Sequence, residues 1–125
     1  DRANAISDLV GRQVMVLNCP RDLEVHQATT ISNTIETTIL TAVASTFLDI
    51  THLLITNTSA TAVRVDIRDT TAGTIIYSVG LAANGGADLI FSTPLTQAAV
   101  NTNWTAQASA SVTDLRFLIQ ACKNL

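Results

Sequence analysis

Residues 53–95 have the strand-and-turn pattern of an antiparallel β-protein. In the segment VRVDIR at 63–68, apolar and charged residues alternate, which is the two-residue period of a strand with one buried face. The sequences DTTAG at 69–73 and NGG at 84–86 favour turns, because Asn and Gly accept the positive φ angles that tight turns require. Pro94 cannot donate a ladder hydrogen bond and is expected to end the last strand. The pattern predicts four strands joined by three tight turns, in the order of a meander.

The same pattern continues on both sides of this stretch. Abundant Thr, Val and Ile favours strands, because β-branched side chains pack well on a pleated sheet. A chain of 125 residues fits one domain, and no long amphipathic helix pattern interrupts the strands, which argues against an α/β fold. Turns at short intervals predict an all-β fold of about eight strands, a two-sheet antiparallel β-sandwich of jelly-roll type. The further candidate strands are 12–18, 34–40, 47–57 (long enough to include a bend), 104–110 and 115–121.

The two-residue period also predicts which side chains fill the core between the two sheets. Successive strand residues point to opposite faces, so a shift of one residue in register would move the whole apolar set to solvent. The residues that we predict to be mostly buried are Val63, Val65, Ile67, Leu89, Phe91, Trp104, Leu115, Phe117 and Ile119.

Residues 1–27 precede this regular pattern and mix basic with acidic side chains, in a chain of which only 14% of residues are charged. We predict that 1–27 form an extended N-terminal arm and edge segment that contacts other subunits, and that 28–125 form the sandwich. Charge complementarity mainly sets register and specificity at an interface, and a neighbour can complete an edge strand. The alternative is that 12–18 pairs within its own sheet. The candidate interface residues are Arg2, Ile6, Arg12, Arg21, Asp22 and Glu24.

The charge distribution bears on the possible partners. The formal net charge is −3, and the few basic residues are scattered rather than clustered as they are in nucleic-acid-binding surfaces. No apolar run approaches the roughly 18–20 residues of a membrane-spanning helix. We therefore expect neither a nucleic acid nor a membrane as partner. Charged residues are depleted at the cores of protein interfaces, so the composition favours a protein that is permanently assembled, including a homo-oligomer.

The sequence contains no recognisable catalytic or metal-binding pattern. His26 and His52 are isolated, and His52 lies in a mainly apolar stretch, which predicts a hydrogen-bonded structural histidine rather than a metal ligand. Asp66 lies between Arg64 and Arg68, which predicts a solvated strand face with paired charges rather than one of the two carboxylates of a glycosidase. We therefore expect no enzymatic activity, no metal and no cofactor.

Cys19 and Cys122 are the two cysteines of the chain. Their spacing matches no motif, and pairing between them is one possibility. The interpretation that we favour from the sequence is two free thiols with small, partly buried side chains, because a protein assembled in a reducing cytosol keeps its thiols reduced.

Several turns and strand ends form a recognisable arrangement along the chain. They are GRQV at 11–14, the stretch from Leu53 through NTSATA at 57–62, VDIRD at 65–69, GT at 73–74, LAANGG at 81–86, FSTPL at 91–95 and NT at 101–102. Over roughly residues 11–121, this arrangement resembles that of a group of small virion proteins of tailed bacteriophages.

This resemblance implies a structural protein with no catalytic residues. The expected role is that of a capsid decoration, or cement, protein that is made in the bacterial host cytoplasm and lies on the capsid surface. There it would bind the major capsid protein across joints between subunits. The alternative is a tail-fibre or baseplate module that binds host-surface carbohydrate, which would need an exposed aromatic residue such as Trp104 or Tyr77.

Overall fold

The computed structural model describes residues 19–124, together with the backbone of two short strands before them. A 3-10 helix at Arg21–Leu23 precedes the first long strand. The strands are β1 (Ile6–Ser7), β2 (Gln13–Val14), β3 (Glu24–Ile31), β4 (Thr37–Leu40), β5 (Phe47–Asn57), β6 (Val63–Arg68), β7 (Tyr77–Leu81), β8 (Gly86–Leu95), β9 (Trp104–Ala108) and β10 (Leu115–Asn124).

Strands β3 to β10 form two four-stranded antiparallel sheets. The front sheet has the order β3-β10-β5-β8, and the back sheet has the order β4-β9-β6-β7. This alternation between sheets is that of a jelly roll, in which two Greek keys are wrapped into a sandwich. The structure therefore confirms the predicted all-β, two-sheet antiparallel sandwich of jelly-roll type. Strands β1 and β2 form a separate two-stranded sheet, in which Ile6 pairs with Val14.

The predicted meander is wrong in its strand pairing. Of the three turns in 53–95, one joins hairpin partners, β6 and β7. The other two carry the chain between the sheets, from β5 to β6 and from β7 to β8. Asn84 has the positive φ expected of a turn, 55°, and its N–H donates to Ser59 O at 2.8 Å, which links the two crossings. Turn residues determine where the chain reverses, but they do not determine which strand becomes the neighbour.

Two predicted strand bounds also differ. Strand β8 continues through Pro94 to Leu95, because β8 is an edge strand, where a missing N–H is tolerated. Strand β3 begins at Glu24 and pairs with β10 from Cys122 onward, so residues 24–27 of the predicted arm and edge segment form the start of an edge strand of the front sheet. Strand β5 matches the predicted 47–57 strand with a bend, since its pairing with β10 is irregular at Thr51.

The core between the sheets contains the apolar residues that the period predicted. Seven of the nine predicted residues are buried: Val63, Val65, Ile67, Trp104, Leu115, Phe117 and Ile119. Leu89 and Phe91 are half-buried, because both belong to the edge strand β8 and pack at the margin of the core. Phe91 meets the Tyr77 ring edge-on, with a centroid distance of 6.0 Å.

Candidate functional site

Three of the six candidate interface residues lie where the chain enters the front sheet. Arg21 and Asp22 are exposed in the 3-10 helix, and Glu24 is exposed at the start of β3. The structure thus brings these three side chains to one end of the front sheet, while their role at an interface stays a prediction. Arg2 and Arg12 lie outside the described residues. Of Ile6, only the backbone pairing is described.

The two cysteines form a disulfide, contrary to the favoured interpretation of free thiols. Their Cα atoms are 5.7 Å apart, although 103 positions separate them in sequence. The physical reason is the pairing of β3 with β10, which places Cys122 opposite Glu24 and close to the chain that enters β3. The bond attaches Cys19 to the last strand, so the segment before it starts from a fixed point on the front sheet. It also removes either thiol as a nucleophile.

Polar side chains on the outer surface of the back sheet are hydrogen-bonded to one another. Asp66 has a side chain only 9% exposed, so the prediction of a solvated carboxylate is wrong, although its pairing with Arg64 is confirmed. It accepts hydrogen bonds from Arg64 at 3.0 and 3.1 Å and from Ser78 at 2.7 Å. These hydrogen bonds lower the pKa of Asp66, and the hydrogen bond from Arg64 has the largest effect. The resulting stabilisation is present above the unfolded pKa and is lost as the pH falls through the folded one.

The loop between β6 and β7 is fastened over this same surface. The backbone N–H of Ala72 donates to both Glu36 carboxylate oxygens at 3.0 Å. Arg68 donates from Nε to Gly73 O at 3.0 Å and from Nη1 to Gln107 Oε1 at 2.9 Å. The polar side chains of the back sheet are therefore engaged within the molecule.

The outer surface of the front sheet, hereafter the front face, carries apolar side chains on its strands, whereas the exposed Ile75 and Ile76 on the back-sheet side belong to the loop between β6 and β7. Ile90 on β8 is 76% exposed, and Leu54 and Leu118 pair across β5 and β10 as half-buried neighbours. The strand register places on this face Glu24, His26, Ala28 and Thr30 of β3, Arg116, Leu118 and Gln120 of β10, His52, Leu54 and Thr56 of β5, and Asp88 and Ile90 of β8.

An open groove of about 530 Å³ crosses this face beside the disulfide. Its lining is mixed, with the acidic Glu24, the amide of Gln120, the hydroxyl of Thr51 and the apolar side chain of Ile90, and it reaches Cys19. The groove thus extends from the exposed edge strand β8 to the fixed point of the N-terminal segment.

A polar network joins all four strands of the front sheet. His52 lies between Asp88, whose carboxylate is hydrogen-bonded to Nε2, and Gln120, whose Oε1 is 3.3 Å from Nδ1. Gln120 Nε2 in turn makes a long hydrogen bond of 3.4 Å to Glu24 Oε1. The predicted structural histidine is therefore hydrogen-bonded, as expected. Its partners could not be read from the sequence, because they lie 36 and 68 positions away along the chain.

The network raises the pKa of His52. The main cause is the hydrogen bond to Asp88, and that to Gln120 adds to it, while partial burial acts in the opposite direction. A histidine whose pKa is raised by folding contributes stability that is fully present below its unfolded pKa. That contribution is lost as the pH rises through the folded pKa.

The two aromatic residues considered for carbohydrate stacking differ in burial. Trp104 is completely buried, and its Nε1 donates to Leu48 O at 2.7 Å. Tyr77 is half-buried and packs against Phe91. Trp104 therefore presents no ring face to a sugar, whereas Tyr77 stays partly exposed.

The described part of the chain also bears on metal sites and membrane-spanning helices. Within residues 19–124, no three His, Cys, Asp or Glu side chains come together in a way that could hold a metal ion. None of the described segments forms a helix with the length and apolar character needed to cross a membrane. No protein-family model matches the chain, and no curated protein matches it significantly.

Proposed function

We propose that this chain is a structural protein of a bacteriophage virion, a capsid decoration protein that binds across joints between major capsid subunits and stabilises the head. The jelly roll is compatible with this role, because viral capsid domains use it, but lectins and cupins share the fold. The argument for binding therefore depends on the surface rather than on the fold.

The observation that carries the proposal is the difference between the two outer surfaces. The back sheet is covered by its own loop through Glu36 and Arg68, and the apolar side chains exposed there, Ile75 and Ile76, belong to that loop. On the front face the exposed Ile90 belongs to a strand, opposite His52 and diagonal to Leu54. Burial of apolar side chains such as these is the main favourable term in protein association. In this proposal the front face and the N-terminal segment before Cys19 provide two contacts, one for each side of a joint.

Repeated binding sites on a capsid shell suit a surface that makes weak contacts. Many copies on a closed lattice are held by several contacts at once, so that individually weak contacts give stable occupancy. In this proposal the chain is made in the reducing cytoplasm, and the Cys19–Cys122 bond forms after the particle is released into oxidising surroundings. The alternative role as a carbohydrate-binding tail module receives no support from Trp104, which is completely buried, and Tyr77 is half-buried against Phe91.

The first experiment is an electron cryo-microscopy map of intact particles, combined with quantitative mass spectrometry of their proteins. We expect density for the jelly roll on the head, between capsid subunits, in a fixed ratio to the major capsid protein. A few copies at the tail or baseplate, or absence from the particle, would contradict the proposed function.

The second experiment tests the front face with a matched pair of variants. Ile90→Glu is expected to reduce occupancy on particles that lack the protein at least about tenfold, because it places a charge in an apolar contact. Ile35→Glu is the control, since Ile35 is similarly exposed at 67% but lies in the β3–β4 loop, outside the front face. Equal occupancy of the two variants would show that the front face is not the contact.

The same assay tests the N-terminal arm. Deletion of residues 1–11 is expected to lower occupancy and the resistance of the particle to heat. If both remain unchanged, the arm hypothesis is wrong, and the faces of the sandwich carry assembly alone.

A further inference from the structure

The network on the front face has a fixed order of donors and acceptors. Asp88 and Glu24 stand at its two ends, on the edge strands β8 and β3, while His52 and Gln120 lie between them on the central strands β5 and β10. We propose that these four side chains form a hydrogen-bond relay that senses pH and couples the protonation of His52 to the position of the Glu24 carboxylate at the groove.

The order follows from the chemistry of the two ends. An ionised carboxylate only accepts hydrogen bonds, so Glu24 favours the orientation of Gln120 in which the NH₂ group faces it and the amide oxygen faces His52 Nδ1. Asp88 likewise requires a donor at His52 Nε2. Both ring nitrogens therefore face acceptors. The imidazolium form, in which both nitrogens carry protons, satisfies the whole relay, and the neutral ring does not.

Deprotonation of His52 changes the contact between Gln120 and Glu24. The neutral ring keeps its proton on Nε2 for Asp88, which leaves Nδ1 as an acceptor facing the acceptor Oε1 of Gln120. The Gln120 amide relieves this repulsion by turning its NH₂ group to His52, and its oxygen then faces the Glu24 carboxylate. Glu24 is released from the sheet at the edge of the groove, near the disulfide. The raised pKa of His52 agrees with hydrogen bonds that favour the imidazolium form.

Other charged groups near the relay have partners of their own. On β3, His26 Nδ1 lies 3.9 Å from Glu24 Oε1, and on β10 Arg116 donates to Asp114 at 3.2 Å. On β5, the Asp49 carboxylate accepts hydrogen bonds from Gln97 N and from the Asn124 side chain. His26 contacts Glu24 and lies opposite Gln120 in the strand register, so the His26→Gln variant is used to separate the response of His52 from that of the second histidine.

The relay is tested by NMR titration of the His52 ring nitrogens in the isolated protein, so its outcome does not depend on the proposed function. Comparison with His26→Gln assigns the signals. The decisive variant is Glu24→Gln, because its side chain can both donate and accept and no longer fixes the orientation of Gln120. The control is Asp22→Asn, which removes an equal charge two positions away in the 3-10 helix.

We expect the His52 midpoint to lie above its ordinary value in the wild type and to fall in Asp88→Asn, in Gln120→Leu and in Glu24→Gln, but not in Asp22→Asn. The Gln120 side-chain amide signals should move with the same midpoint as His52. The effect of Glu24→Gln should persist in 1 M salt, where the screening length is only about 3 Å. Equal effects of Glu24→Gln and Asp22→Asn, a loss of the Glu24→Gln effect in salt, or an unshifted wild-type midpoint would overturn the relay. Thermal unfolding of each variant verifies that it is folded.

Discussion

Replacement of Trp104 by alanine is expected to lower the free energy of unfolding by about 3–5 kcal/mol, the range found when large aromatic side chains are truncated in a core. The indole is completely buried, and its N–H donates to Leu48 O at 2.7 Å. It therefore links β9 of the back sheet to β5 of the front sheet, so truncation leaves a cavity at the contact between the two layers.

Urea unfolding followed by circular dichroism measures this effect. Trp104→Phe keeps most of the ring volume but loses the hydrogen bond to Leu48, so an intermediate loss of about 1–3 kcal/mol is expected. Ile35→Ala is the control, because Ile35 is 67% exposed and surface substitutions usually change stability by less than about 0.5 kcal/mol. A loss below about 1 kcal/mol for Trp104→Ala would mean that this register of β9 is wrong.

Removal of the disulfide by the double substitution Cys19→Ser and Cys122→Ser is expected to lower the free energy of unfolding by about 2–5 kcal/mol. The bond closes a loop across 103 positions, and loop-closure entropy for a loop near 100 residues gives about 4.7 kcal/mol. We expect the fold to survive, because β10 remains paired with β3 on one side and β5 on the other.

Reduction supplies the matched control for this prediction. These are the two cysteines of the chain, so dithiothreitol should destabilise the wild type to the level of the double serine variant and leave that variant unchanged. Equal responses of both proteins to dithiothreitol, or a double variant as stable as the oxidised wild type, would contradict a stabilising bond.

The candidate site was only partly accessible from the sequence. Glu24 was selected for its position in a charged N-terminal segment, and His52 was predicted to be hydrogen-bonded, but nothing local connects either residue to Gln120 or Asp88. The connection arises from the registers of three strand pairs, which bring side chains 36 to 96 positions apart onto one face. The disulfide was considered from the sequence but set aside on the expectation of a reducing cytosol, and only the pairing of β3 with β10 shows that the two cysteines lie close together.

What the sequence determined by itself is the local periodicity and its consequences. The alternation at 63–68 predicted strand β6 and its buried side, and the apolar residues at 115–121 predicted the buried face of β10. These predictions hold because the orientation of a strand side chain depends only on its position in the strand. The choice of partner strand was decided only by the tertiary structure, which separates β7 from β8 into different sheets despite the turn between them. Two amphipathic strands joined by a turn bury their apolar sides equally well as a hairpin or across a sandwich, and the packing of the whole chain selects between these arrangements.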